Sequence, residues 1–191
     1  MEGKSVEKIC SELNCGSDME ERKEKDVYKA VELFAGAGGL ALGVEKAGFR
    51  SIGLIELDKD GSDTLRKNRP NWRVIHDDIA NISKLDLEQY FNLRKGELDL
   101  LSGGAPCQAF SYAGKRLGLE DARGTLFYHY ATFLQKLQPK MFLFENVRGL
   151  LTHDHGRTYA TISNIFEQAG YTKQKKVLNA GIMECHRKES G

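Results

Sequence analysis

The chain has 191 residues, 40% of them hydrophobic, and its 28 basic against 27 acidic side chains leave a net charge of +1. That length suits one domain with a core large enough to fold without staples. So even a balance excludes a global positive field as the means of holding nucleic acid, leaving local basic patches or a partner that supplies charge.

Residues 1–26 stand apart, with eight acidic and five basic side chains. They predict a solvated, flexible extension in which residues 6–13 form at most one weak amphipathic helix. From Tyr28 the texture changes. Val31-Glu32-Leu33-Phe34 reads as a strand, and a glycine-rich turn follows from Ala35 to Gly39. Leu40, Val44 and Ala47 then recur at helical spacing up to Gly48. Ser51 to Leu57 is a second strand, and Asp60 to Asn68 a helix stopped by Pro70. Arg73 to Ile75 is a short third strand, and Leu98 to Leu101 a fourth that runs into Gly103-Gly104. Arg123 to Leu137 reads as a helix ended near Pro139, and Met141 to Phe144 as a fifth strand. Thr158 to Ala169 is a further helix before Gly170, and Lys175 to Leu178 is expected to be a sixth strand. Strands alternating with helices predict an α/β fold with a mainly parallel sheet, helices on both faces, and ligands beyond the carboxyl ends of the strands.

No apolar run approaches the roughly 20 residues that cross a bilayer. No apolar stretch follows the N-terminal charges, so neither a membrane partner nor a signal peptide is expected. Cys10, Cys15, Cys107 and Cys185 form no CxxC pair that His153 and His155 might complete. No metal site and no disulfide framework are expected from them.

Two regions carry chemistry. The first strand ends in Phe34-Ala35-Gly36-Ala37-Gly38-Gly39-Leu40, where glycines allow a tight turn and a close ligand, and a helix N-terminus behind them offers N–H groups. Glu56 ends the next strand, 20 residues after Gly36, a spacing suited to a carboxylate that grips ribose hydroxyls. The adjacent glycines break the GxGxxG pattern, and no Gly-Lys-Ser/Thr follows. A nucleoside cofactor without pyrophosphate therefore suits the turn better than NAD or ATP, while a plain strand-to-helix turn stays open.

The second region is Ser102-Gly103-Gly104-Ala105-Pro106-Cys107-Gln108-Ala109-Phe110-Ser111. Pro106 fixes the backbone beside a thiol at a strand's carboxyl end, where a helix dipole or a cation would lower its pKa. Taken singly, Cys107 is better read as a structural cysteine. Glu145-Asn146-Val147 ends the fifth strand at the same mouth. Partial burial there would raise the carboxyl pKa and make Glu145 a proton donor, whereas a lone strand-end acid is ordinarily solvated. Asp121 before Arg123-Gly124-Thr125-Leu126-Phe127 could equally be a simple helix cap or a partner of Arg123.

Taken together and in order, these segments resemble the DNA cytosine-5 methyltransferases over about residues 29–180. Phe34 to Gly39 is similar to the family's first S-adenosylmethionine motif, Glu56 to its ribose-binding acid and Asp78-Ile79 to its adenine-contacting pair. Pro106-Cys107-Gln108 resembles the nucleophile loop, Arg123 to Phe127 the motif after it, and Glu145-Asn146-Val147 the acid motif. The resemblance implies a Rossmann-like S-adenosylmethionine-dependent methyltransferase fold over residues 27–180. It also implies that Phe34, Ala35, Gly36, Gly38, Gly39, Leu40, Glu56, Leu57, Asp78, Ile79, Pro106 and Leu126 hold the cofactor. Gln108, Ser111 and Val147 would contact the base, and Cys107 and Glu145 would act on it. In that chemistry the Cys107 thiolate adds at carbon 6 of cytosine, Glu145 supports N3, and carbon 5 becomes nucleophilic. The base must leave the double helix to be reached.

The resemblance also implies parts that this sequence does not show: further strands, a Gln-x-Arg-x-Arg motif, a target-recognition domain and a closing C-terminal segment. Residues 181–191 match nothing expected of the family. Back-translating Gly181 to Gly191 and reading from one base earlier permits Trp-Asp-Tyr-Gly-Val-Pro-Gln-Lys-Arg-Glu-Arg, which restores the motif. A frameshift near Ala180 is the expectation, testable on the gene's nucleotides, with an ordinary divergent tail as the alternative. The sheet is then expected to be incomplete at its C-terminal side, with an edge open for pairing. Two functional readings follow. One is a prokaryotic, cytoplasmic, nucleoid-associated methyltransferase of a restriction-modification or solitary kind. It would bind double-stranded DNA weakly alone and need a second polypeptide carrying the recognition domain. The other is a non-catalytic relic that binds S-adenosylmethionine or another protein. A dehydrogenase is disfavoured by the paired glycines and by Pro106-Cys107-Gln108.

Overall fold

The computed structural model of the protein describes residues 27–106 and 126–178. The chain divides into two compact units, Met1–Val147 and Arg148–Gly191. In the first, the order is β1 (Tyr28–Leu33), α1 (Gly39–Lys46), β2 (Phe49–Glu56), α2 (Lys59–Asn68) and β3 (Val74–His76). There follow α3 (Ile79–Ile82), α4 (Leu87–Phe91), β4 (Leu100–Gly103), α5 (Leu126–Leu137) and β5 (Met141–Phe144).

The five strands make one sheet in the order β3-β2-β1-β4-β5, and every pair is parallel. Chain progression reverses between β1 and β4, which opens a crevice at their carboxyl ends. Successive strand residues point to opposite faces, and Ala30, Val31 and Leu33 of β1 are all buried. Both faces of the central strand are therefore covered, as a parallel sheet requires.

Helix packing follows from the spacing of apolar side chains. Val44 of α1 lies with Ala30 and Leu100 under Leu40 and Phe49. Ala41 lies with Ala35, Leu54 and Leu65, flanked by Trp72 and Val74. In α5, Phe127, Tyr130, Ala131, Leu134 and Leu137 recur every three or four residues and are buried. The Tyr130 hydroxyl lies 3.2 Å from the carbonyl oxygens of Leu101 and Leu143, so one side chain grips β4 and β5 together.

The second unit contains two 3-10 turns, Arg148–Leu151 and His153–Gly156, and α6 (Arg157–Gln168). Tyr171 to Leu178 form no strand, which corrects the expectation for Lys175 to Leu178. Among the described residues this unit has no second strand to pair with, and Val177 and Leu178 are exposed. Other differences lie at element ends, β1 starting at Tyr28 rather than Val31 and β4 at Leu100 rather than Leu98, while α3 and α4 fill a stretch to which the sequence assigned no element. Among the described residues, no helix is long and apolar enough to cross a membrane.

Candidate active site

Three helices that begin beside the sheet are capped by aspartates. Asp58 accepts from Gly61 N–H at 2.7 Å, Asp78 from Ala80 N–H at 2.8 Å, and Asp86 from Gln89 N–H at 3.1 Å. α1 differs: its cap is Gly38, in the left-handed region, with no side-chain hydrogen bond. A side chain on Gly38 would also strike Leu65, since its Cβ would lie 2.6 Å from Leu65 Cδ2. Glycine there is thus required by conformation and by packing. The turn keeps a helix N-terminus without a capping side chain at the carboxyl end of β1, which suits an anionic group of a ligand.

Glu56 anchors that turn. Its Oε2 accepts from Gly36 N–H at 2.6 Å and its Oε1 from Asp58 N–H at 2.7 Å. Each carboxylate oxygen retains a further lone pair for a ligand hydroxyl. Leu57 beside it is 63% exposed, an apolar surface at the mouth of the crevice. Asp78 follows β3 and spends one oxygen on its helix cap. Ile79 is buried, so its side chain belongs to the core. Phe34 takes a left-handed backbone, φ 58°, that turns the chain away from the sheet. Ala35 is buried, while Gly36, Gly39 and Leu40 retain exposure. A Cβ built on Gly36 or Gly39 meets nothing within 4 Å, so the space above the turn is open. These residues fit a nucleoside with a carboxylate-bearing arm: an N-terminus for the carboxylate, an acid for the ribose and an apolar wall for the base.

The carboxyl ends of β4 and β5 form the other half. Glu145 N–H donates to the Gly103 carbonyl at 3.0 Å, continuing the ladder. A Cβ on Gly104 would lie 2.6 Å from Glu145 Oε2, so the carboxyl occupies space that any side chain there would take. Asn146 Nδ2 donates to the Ala105 carbonyl at 2.8 Å. The acid segment therefore holds the backbone just before Pro106, the last described residue of that loop. Gly103 is equally constrained, because its Cβ would lie 2.5 Å from the Leu33 carbonyl oxygen. Glu145 is exposed rather than partly buried, which corrects the expectation of burial. The reason is position: β5 is the edge of the sheet among the described residues, and its residues alternate between exposed and half-buried. Val147 is 61% exposed at the same mouth, and Leu126 opens α5. Cys107, Gln108, Ser111, Asp121 and Arg123 to Thr125 lie outside the described residues, as do 1–26 and 179–191.

The C-5 cytosine-specific DNA methylase family matches residues 28–188. The chain belongs to that family. It is 52% identical to the Type II methyltransferase M.Eco47II of Escherichia coli over 162 residues, covering 84% of this chain and 37% of that protein. It is also 52% identical to the Type II methyltransferase M.Sau96I of Staphylococcus aureus over 159 residues, covering 83% of this chain and 36% of that one. Among solved structures, a DNA modification methyltransferase encoded within an E. coli prophage matches with a TM-score of 0.58 at 27% identity. That alignment covers 74% of this chain and 38% of that chain. The chain thus spans little more than a third of the length of these relatives. The α/β sheet of this methylase-family chain agrees with the expected fold class. The family match also runs into the segment 181–191 that the sequence reading set outside the family.

The structure gives roles to residues that the sequence reading quoted within its segments without assigning them one. Glu32 is 2% exposed and Ser102 is fully buried, and Ser102 Oγ donates to Glu32 Oε2 at 3.2 Å. Burial pushes the Glu32 carboxyl up to about 7, against the opposing hydrogen bonds from Ser102 and the Ala41 backbone. The signal was present as an acid inside the apolar run Val31 to Leu33 of a central parallel strand. Gly104 and Asn146 carried no such signal, because their roles appear only when β4 and β5 lie side by side.

Proposed function

We propose that this chain carries the cofactor-binding and catalytic part of a DNA (cytosine-5-)-methyltransferase that uses S-adenosyl-L-methionine. The observation that carries this reading is the seat of the Glu145 carboxyl over Gly104. An acid is thereby set beside the strand end that leads to Pro106-Cys107, one strand away from the glycine turn.

In this reading the α1 N-terminus takes the cofactor's carboxylate, Glu56 its ribose hydroxyls, and Leu57 with Asp78 its adenine. When bound, the cofactor supplies an electrophilic methyl group on a sulfonium. The rest is the work of the chain. The Cys107 thiolate forms a bond to carbon 6 of a flipped cytosine, and the displaced ring electrons collect toward N3 and carbon 5. Glu145 hydrogen-bonds N3 and offsets that charge. With the methyl group on carbon 5, that carbon gives its proton to water, the electrons of the broken C–H bond re-form the carbon 5–carbon 6 double bond, and the carbon 6–sulfur bond breaks to return the Cys107 thiolate.

Double-stranded DNA is the substrate in this reading. The net charge of +1 gives these residues no global positive field to hold it, and recognition elements on a second polypeptide would add to the grip. Two measurements test the reading. Equilibrium dialysis should detect S-adenosylmethionine on the chain. Duplex DNA containing 5-fluorocytosine should form a denaturant-stable adduct with it, in the presence of cofactor, that Cys107→Ser abolishes. Cofactor binding without any adduct, even with recognition elements added in trans, would favour the non-catalytic alternative.

A further inference from the structure

Glu32 occupies a position where a carboxylate is costly. It lies in the central strand, 2% exposed, and burying a charge without a cationic partner is unfavourable. Its neighbours are known from every side that packs on it among the described residues. On β2 the register partner is Leu54, and on β4 it is Ser102. From α1 comes the backbone of Ala41. None carries a charge, and no charged side chain contributes to its titration. What the carboxyl does have is two donors from different elements: Ser102 Oγ at 3.2 Å and the Ala41 N–H. Ala41 is the third residue of α1, so that N–H is among the donors a helix cannot satisfy internally.

We propose that Glu32 is a positioning residue that clamps the first turn of α1 to β4, fixing the spacing between the Gly36–Gly39 turn and the strand end that leads to Pro106. The proposal rests on the cofactor reading of that turn given above. The element α1 begins without a capping side chain at Gly38, so the clamp beneath it substitutes for a cap. Its register is set at the point where β1 and β4 meet, which is also where the chain order of the sheet reverses. The clamp has two hydrogen-bonding states. Charged, the carboxylate accepts from both donors. Neutral, it carries an O–H that must donate, and Ser102 Oγ is the acceptor in reach. Because the carboxyl titrates at about 7, the spacing between the two halves of the site responds to pH near neutrality.

The test is a pH titration of backbone amides in the 15N-labelled chain by NMR. The Ala41 amide should shift with a midpoint near 7, accompanied by the amides of the Gly36–Gly39 turn and of Ser102 to Gly104. Glu32→Gln should flatten all of them. Ser102→Ala, which removes a donor to the charged form, should move the midpoint upward, and it keeps the test alive if Glu32→Gln does not fold. An Ala41 amide that does not titrate, or that titrates unchanged in Glu32→Gln or Ser102→Ala, overturns the clamp. S-adenosylmethionine affinity is read separately by dialysis. It should fall at least about fivefold from pH 8 to pH 6 in the wild type and stay level in Glu32→Gln. Level binding in the wild type overturns the coupling. No binding at either pH sinks the cofactor reading, while the amide titration still decides the clamp.

Discussion

The Glu145 carboxyl lies where a side chain on Gly104 would be, 2.6 Å from the Cβ position. This contact ties two strand ends that are adjacent in the sheet but 41 residues apart in the chain. The nearest atom is the tip of a flexible side chain and the next, the Glu145 carbonyl oxygen at 3.2 Å, has to give only slightly, so Gly104→Ala should let the carboxyl swing away rather than unfold the protein. We expect thermal stability to change by no more than about 1 kcal/mol, while adduct formation with 5-fluorocytosine DNA falls about a hundredfold. A variant that melts normally and reacts normally would show that the seat of Glu145 over Gly104 is irrelevant to the chemistry.

Asn146 makes a related prediction. Its amide donates to the Ala105 carbonyl at 2.8 Å, and its Oδ1 accepts from Val147 N–H at 3.0 Å. Asn146→Ala leaves the Ala105 carbonyl, in a buried residue, without that donor, at a stability cost of about 1–3 kcal/mol. Asn146→Asp keeps the shape but presents an acceptor to an acceptor, so it should be no better than alanine. Denaturant melts of the two variants measure this. An aspartate variant as stable as wild type would mean that the bond does not hold the loop.

Much of this architecture was legible in the residues, and the reasons differ by element. Met141 to Phe144 is four apolar residues between Pro139-Lys140 and a carboxylate, and its bounds match. The glycine turn was legible because its conformational demand is local: Gly36 and Gly38 take positive φ in the structure. The start of β4 was read two residues early because Leu98 is as apolar and as buried as the strand itself. Burial does not reveal ladder pairing, and the observed pairing starts at Leu100. The helices α3 and α4, four and five residues long, are too short to show a period. The exposure of Glu145 and the seat beside Gly104 depend on which strands are neighbours, and no local pattern encodes that. Lys175 to Leu178 is not a strand because, among the described residues, its unit contains no strand for it to form a ladder with, and propensity alone does not make a sheet.

Glu56 holds the glycine turn and, in the proposed reading, the ribose as well. Glu56→Ala would release the Gly36 and Asp58 N–H groups together. Hydrogen bonds to a charged group contribute about 1.5–3 kcal/mol each, so cofactor affinity should fall at least tenfold. Glu56→Gln retains one acceptor and should lose less. Dialysis with both variants gives the order wild type, glutamine, alanine. Equal affinity in all three would remove Glu56 from the cofactor site.

The buried Glu32 also predicts how stability varies with pH, in a direction opposite to that of a paired surface acid. Its carboxyl is raised from 4.5 to about 7. Between those values the native chain keeps a proton on Glu32 that the unfolded chain has lost. Stability contributed by this group is therefore full below about pH 4.5 and declines as pH rises to about 7. Above that the decline stops, because both states are ionised. The difference corresponds to at most about 3 kcal/mol. Glu32→Gln cannot ionise, so it should lack this decline and be more stable than the wild type at pH 8, with the advantage shrinking toward pH 5. Urea melts of both proteins at the two pH values decide the point. If the wild type gains stability relative to Glu32→Gln on going from pH 5 to pH 8, the carboxyl is not the buried, neutral-preferring acid that its place between β1, β4 and α1 makes it.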